Sequence, residues 1–253
     1  MAVNTQTQKI VLPTVRSEVT NLFKDQKFGI IGPAGIGKSA LFSNSNGLYI
    51  QTEAGLSHLS VMSIPCYSWD DFKEIYGELL KADQAKKLPY EIIIIDTIDR
   101  LVEIGNEEVV KRGRAKFPKL ADQINTIGDV PNGAGWSWST DLIGLALKKL
   151  EELGCAVAFI GHLESKEVKS PTDKYHKQTI SIGGKQGGQL VAWPDHLLNI
   201  EADIDQTGRI TRVVRTRPTR TIEAKSRGGI IPDGWRWADS DKENWEKLRS
   251  FFK

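Results

Sequence analysis

The octapeptide GPAGIGKS at residues 32–39 matches the spacing Gly-x4-Gly-Lys-Ser in full. Glycines let successive backbone N–H groups converge on phosphate oxygens, and a helix starting there adds partial positive charge. Lys38 has the reach to meet β- and γ-phosphates, and the Ser39 hydroxyl suits Mg²⁺. Gly32, Pro33, Ala34, Gly35, Ile36, Gly37, Lys38, Ser39 and Ala40 are therefore the expected contacts to a nucleoside triphosphate.

Two carboxylates complete the chemistry. EIIIIDTIDR places Asp96 at the carboxyl end of an apolar run, where an open parallel sheet puts its ligands, so Asp96 with Ser39 is expected to hold Mg²⁺. Asp99 competes for that role but suits the first turn of a following helix, where an acid favours the dipole. In LYIQTEAGL, Glu53 follows a strand that precedes the Asp96 strand. A carboxylate there can orient and deprotonate an attacking water; the alternative is a helix-capping acid.

A scaffold of alternating strands and helices must bring these groups together. The apolar runs KFGIIG (27–32), GLYIQ (47–51), LSVMSI (59–64), YEIIIID (90–96) and CAVAFIG (155–161) predict strands. A helix is expected after the phosphate loop. SWDDFKEIYGELLKA (68–82) and STDLIGLALKKLEELG (139–154) open on capping residues and repeat apolar positions at helical spacing. This order predicts an α/β fold, a mostly parallel central sheet with helices on both faces. Beyond residue 162 the pattern turns to hairpins, one near SPTD and one around DQTG, a C-terminal β-hairpin extension. KIVLP (9–13) is a candidate edge strand in a lead-in over residues 1–24. The core spans 25–238, and a helix at 239–253 packs Trp245, Leu248 and Phe252 on it.

With Glu53 placed after a strand and a small residue, the chain resembles the RecA-like phosphate-loop ATPases, whose catalytic base is so marked. His162 follows the AVAFIG run, where these proteins place a polar sensor of the γ-phosphate, often glutamine; phage members carry His there. A solvent-facing His162 is the alternative. AKSRGG (224–229) matches the Lys-x-Arg of RecA-like hexameric helicases, whose two cations enter a neighbouring subunit's ATP site. The resemblance implies that Lys225 and Arg227 join Lys38, Glu53 and His162 in catalysis from a second copy, in a ring or filament with ATP at each interface. A solvated turn explains the same residues.

The same family binds single-stranded DNA through two mobile segments, and candidates stand at both places. KRGRAKFPK (111–119) holds five cations and no acid, with Lys111, Arg112, Arg114 and Lys116 foremost. NGAGWSW follows, offering Trp136 and Trp138; GGKQGGQ offers Lys185 and Gln186 on a flexible glycine loop. Cations along a backbone with aromatic platforms suit sequence-tolerant strand binding, whereas a solvated helix end and ordinary tryptophan packing are the plainer readings. The arginines of RITRVVRTRPTR extend a basic face or simply sit exposed on strands.

Composition bounds the rest. The 253 residues are 40% apolar and 26% charged with a net charge of +2, too little to identify a nucleic-acid partner without local clustering. The two cysteines offer neither a disulfide framework nor a zinc site. The polar N-terminus and the lack of a long apolar run predict a cytoplasmic protein of a bacterial host cell with no membrane partner. The combined expectation is a Mg²⁺- and ATP-dependent, oligomeric ATPase that binds single-stranded DNA in phage-type recombination or annealing, with a single-strand-binding protein as a further partner. Rivals are a DnaB-like helicase or accessory motor and a KaiC-like nucleotide switch without DNA.

Overall fold

Ile92, Ile93, Ile94 and Ile95 are all fully buried, which requires cover on both faces of their strand. The computed structural model describes residues 12, 14–15, 21–169, 173–204, 207–208 and 210–253. In chain order its elements are β1 (Lys27–Gly32), β2 (Gly47–Gln51), β3 (Met62–Pro65), α1 (Trp69–Gln84), β4 (Ile92–Asp96) and α2 (Ile98–Lys116). Then come α3 (Ala134–Glu151), β5 (Ala156–Lys169), β6 (Lys174–Ile180), α4 (Gly184–Ala192) and β7 (His196–Ile204). The last are β8 (Ile210–Arg215), β9 (Lys225–Ser226), β10 (Trp235–Arg236) and α5 (Asp241–Ser250).

The sheet runs β10-β8-β7-β1-β5-β4-β2-β3, with β6 on β5 and β9 on β7. The six strands from β7 to β3 are mutually parallel, while β8, β9 and β10 are antiparallel additions. This is the expected α/β architecture, with the β7–β8 hairpin as its C-terminal extension. Alternate strand residues feed two cores. Ile31, Ile50, Ile93, Ile95, Val157 and Phe159 meet the apolar stripes of α1 to α4 on one face. Phe28, Ile30, Tyr49, Ile92, Ile94 and Ala158 meet Phe23, Leu41, Phe42, Trp245, Leu248 and Phe252 on the other. Each fully buried isoleucine contributes roughly 1.5–3 kcal/mol, so the parallel strands anchor everything at their ends.

Local chemistry sets several boundaries. Ser68 caps α1 by accepting from Asp71 N while Asp71 accepts from Ser68 N. The tail helix α5 buries Trp245 and Leu248, whereas Phe252 is buried beside them just past the helix end at Ser250.

Other expectations are corrected. No α-helix follows the phosphate loop, only a four-residue 3₁₀ turn, Ser39–Phe42, because β2 resumes at Gly47. The strand predicted at 59–64 begins at Met62. β5 does not stop before His162 but runs to Lys169 as the first arm of a hairpin with β6, whose tip at 170–172 lies outside the described residues. The helix predicted from 139 begins at Ala134, and GGKQGGQ is not a loop but the start of α4. The candidate edge strand at 9–13 lies, apart from Leu12, outside the described residues.

Candidate active site

β1, β2 and β4 end at one edge of the sheet, where β5 passes them through His162 and runs on, and that edge carries the chemistry. Gly32 ends β1, and the chain then folds back through Gly35 at φ 73° and Gly37 at φ 102°, left-handed positions that glycine takes without strain. Lys38 closes the loop on itself: its Nζ donates to the carbonyls of Gly32 and Pro33, both at 2.9 Å. Burial pushes the Lys38 ammonium below its ordinary pKa, against the opposing pull of the Asp96, Asp99 and Glu53 carboxylates. Because the following turn is so short, anion binding here rests on loop amides and Lys38 more than on a helix dipole.

Ser39 Oγ donates to Asp96 Oδ2 at 2.7 Å. Burial pushes the Asp96 carboxyl upward in pKa, and the Ser39 hydrogen bond acts against it. One hydroxyl and one carboxylate in contact, with no nitrogen or sulfur ligand, is a donor set that fits Mg²⁺ completed by phosphate and water. Among the described residues no group of three or more His, Cys, Asp or Glu side chains could hold a metal by itself. Tyr49, buried on β2, donates from its hydroxyl to Ser39 O at 2.7 Å and ties the loop exit to the sheet.

Glu53 stands just past β2, whose Gln51 pairs with Asp96 of β4. Thr52 joins the two strand ends: its Oγ1 accepts from Thr97 N at 2.7 Å and donates to Thr97 O at 2.8 Å. Glu53 is thereby exposed beside the Asp96 carboxylate, near enough to act on its ionisation. The small residue before Glu53 was visible in the sequence; its task as a strap was not.

On the other side His162 pairs in register with Gly32. Its backbone N donates to Asp99 Oδ2 at 2.9 Å, and its Nδ1 lies 3.4 Å from the same oxygen. Asp99 sits on the first turn of α2, as expected, but also accepts from Ser181 Oγ. One carboxylate thus connects the strand beside the phosphate loop to the segment leading into α4.

That segment opens onto a cavity of about 900 Å³ lined by Val102, Asn106, Trp136, Thr140, Lys185 and Gln186, among others. Gln186 Nε2 donates to Ser139 Oγ at 3.1 Å, and Ser139 Oγ to Asn106 Oδ1 at 2.5 Å. Trp136 is 62% exposed at its rim. The structure therefore brings Trp136, Lys185 and Gln186 together, on first turns of α3 and α4 rather than on loops.

The basic run lies apart from them, on the last turns of α2, and is engaged within the chain. Lys111 faces Asp70 and Glu108, Arg112 pairs with Glu108 at 2.8 Å, and Arg114 Nε donates to Ile124 O at 2.8 Å. Lys116 lies over the Trp138 ring at 4.7 Å.

Lys225 and Arg227 occupy the opposite end of the sheet. Across β7, Lys225 is level with Gly29 and Ser226 with Phe28, so the segment carrying these cations stands about 10–13 Å along the strand from the phosphate-loop end of β1. Lys225 Nζ donates to Val191 O at 3.2 Å and Ala192 O at 2.9 Å, capping α4, and burial lowers its pKa. Arg227 Nη1 meets Asp195 Oδ1 at 2.7 Å, while its side chain stays 68% exposed. Neither reaches the phosphate loop of its own chain.

The arginines of β8 divide. Arg215 pairs with Glu201 at 2.9 Å, whereas Arg212 stands against the phosphate loop itself.

A family profile described as an AAA domain matches residues 24–228. The SPbeta prophage-derived uncharacterized protein YorG of Bacillus subtilis (strain 168) is 28% identical over 117 residues, which are 46% of this chain and 33% of that protein. The match therefore spans about a third of that relative's length. A crystal structure of the KaiC-like protein PH0186 from Pyrococcus horikoshii OT3 aligns over 80% of this chain and 82% of its own, with 10% identity and a TM-score of 0.43. Among the described residues no helix is long and apolar enough to cross a membrane.

Proposed function

The chain belongs to the AAA-domain family, and we propose that it is a Mg²⁺-dependent ATPase coupled to single-stranded DNA, acting in phage-type recombination or annealing. The observation that carries the ATPase reading is the meeting of Lys38, Ser39, Asp96 and Glu53 at one sheet edge. Lys38 exchanges the Gly32 and Pro33 carbonyls for β- and γ-phosphate oxygens. Ser39 and Asp96 hold Mg²⁺, which neutralises phosphate charge when bound. Glu53 orients water and accepts its proton as the oxygen bonds to the γ-phosphorus and the bond to the bridging oxygen breaks, leaving ADP and phosphate.

His162 reads the γ-phosphate, and Asp99 passes its position to Ser181 and the start of α4. The cavity of Trp136, Lys185 and Gln186 lies at the far end of that path, where an aromatic face and a cation suit one strand of DNA. Lys225 and Arg227, too far from their own phosphate loop, serve the loop of a neighbouring copy in a homo-oligomer. The basic run of α2 adds at most a diffuse field, since its side chains are already engaged.

The test is ATP turnover with and without oligodeoxynucleotides, beside direct strand binding. Single-stranded DNA is expected to raise turnover, and Trp136→Ala and Lys185→Ala to reduce both strand affinity and the stimulated component. An active ATPase that neither binds a strand nor responds to one would favour the DNA-free nucleotide switch.

A further inference from the structure

Gly37 has a neighbour that phosphate binding does not explain. A Cβ placed on Gly37 would lie 2.8 Å from Arg212 Nη1 and 3.7 Å from Trp237 Cζ2. Arg212 belongs to β8, and Trp237 directly follows β10 on the same edge of the sheet. The guanidinium carbon stands over the indole at 5.7 Å, and Trp237 N donates to Arg212 O at 2.9 Å, so backbone and side chains hold the two together. With Ile36, Ile210, Thr211 and Asp239 they line a cavity of about 310 Å³ that opens at the phosphate loop.

Its wall is firmly held. Asn244, only 1% exposed on α5, donates to Ala238 O at 3.1 Å and Ser240 O at 2.9 Å and accepts from Ala238 N at 2.7 Å. The segment carrying Trp237 is thereby fixed to a buried helix face.

The strand order gives the cavity its meaning. Asp96 on β4 and Glu53 after β2 lie on one side of β1, while β7, β8 and β10 lie on the other. A triphosphate with its γ-end toward Asp96 and Glu53 directs its α-end, and the nucleoside attached to it, toward Arg212 and Trp237.

We propose that Arg212 and Trp237 form the nucleobase subsite, stacking a planar base beside the phosphate loop; this rests on the nucleotide-binding reading above. A guanidinium and an indole both offer flat surfaces on which a base stacks; the guanidinium also binds phosphate, so the test must separate base from phosphate. Ile36 closes one side of the cavity.

Titration calorimetry with ATP and with inorganic tripolyphosphate, both in Mg²⁺, separates the two parts. Arg212→Gln and Trp237→Leu are expected to weaken ATP roughly ten- to hundredfold and leave tripolyphosphate within about twofold. Trp237→Phe, which keeps a ring at the position, is expected to restore most of the ATP affinity. Arg212→Gln alters a partly exposed side chain, so it stands as the decisive variant if Trp237→Leu fails to fold. An unchanged ATP affinity in Arg212→Gln overturns the subsite. Equal losses for ATP and tripolyphosphate also overturn it, because Arg212 would then act on phosphate. The underlying reading fails separately: wild-type protein would bind neither probe, or Lys38→Ala would leave both unaffected.

Discussion

Two lysines, Lys38 and Lys225, are each folded against a pair of backbone carbonyls at opposite ends of the same sheet. Burial lowers the pKa of both. Their surroundings nevertheless differ in kind. Lys38 sits in a loop with three carboxylates acting on it, two of them tied to a hydroxyl. Lys225 caps the last turn of α4, and its neighbour Arg227 is held by Asp195, a carboxylate that also accepts from Lys27 N at 3.3 Å. Ser226 between them accepts from Ile231 N at 3.1 Å and lies 3.1 Å from His196 Nδ1. The lesson is that a buried cation alone does not mark a catalytic site. What distinguishes the phosphate-loop edge is a cation whose charged neighbours are all carboxylates, whereas Arg227 and Lys27 also act on Lys225.

The proposal that the second edge serves a neighbour's site is the sharpest way to break this contrast. Arg227→Ala is expected to lower turnover by about 10³–10⁵ if the guanidinium acts in trans. Its loss of stability should stay within about 1 kcal/mol, because the Arg227–Asp195 pair is mostly exposed on the arginine side. Mixing Arg227→Ala with Glu53→Gln protein should then recover activity at interfaces that join an intact Glu53 to an intact Arg227. If Arg227→Ala keeps full turnover, the second edge is a structural corner and nothing more.

Glu53→Gln is expected to reduce turnover by about 10²–10⁴ while nucleotide binding survives, measured by single-turnover hydrolysis beside calorimetry. Lys38→Met comes next, with an expected fall of about 10²–10³ in turnover and weaker ATP binding. Without ligand, Lys38→Met should not melt below the wild type, since it removes a charge that burial disfavours.

The smallest effect tests the second edge as a corner. His196 is fully buried between Phe28 and Phe252, and burial, more than nearby Arg227 and Lys225, lowers its pKa to about 4, against the raising pull of Asp195. An unfolded histidine binds a proton near pH 6.5 and the folded one does not. Its contribution is therefore complete above pH 6.5 and is lost as pH falls toward 4, on the order of 3 kcal/mol in all. Urea unfolding at pH 7.5 and 5.0 should show a smaller drop for His196→Gln than for wild type. Equal drops would mean that this imidazole does not hold the corner.

The parts of the site most legible in the sequence were those set by local rules. The phosphate loop, the isoleucine strand ending in Asp96, and Glu53 after its strand follow from spacing and residue type, and each stands at the strand end that the pattern implies. Contacts between distant segments were not legible. KRGRAKFPK reads as a free basic run, yet Glu108, Asp70 and the Ile124 carbonyl take up its charges. GGKQGGQ reads as a loop because glycine disfavours helix, but Leu190 is fully buried against the core and holds the segment as α4.

The sequence by itself determined a phosphate-binding loop, an acid at the end of a buried strand, and the parallel α/β order that brings them to one edge. Those follow from backbone freedom at glycine, strand periodicity and short-range spacing. The tertiary structure decided which cations are free, that Asp99 joins His162 to Ser181, and that Arg212 and Trp237 stand beside Gly37. Such contacts span tens to hundreds of residues of chain, and only strand order and register bring them within hydrogen-bonding or stacking distance.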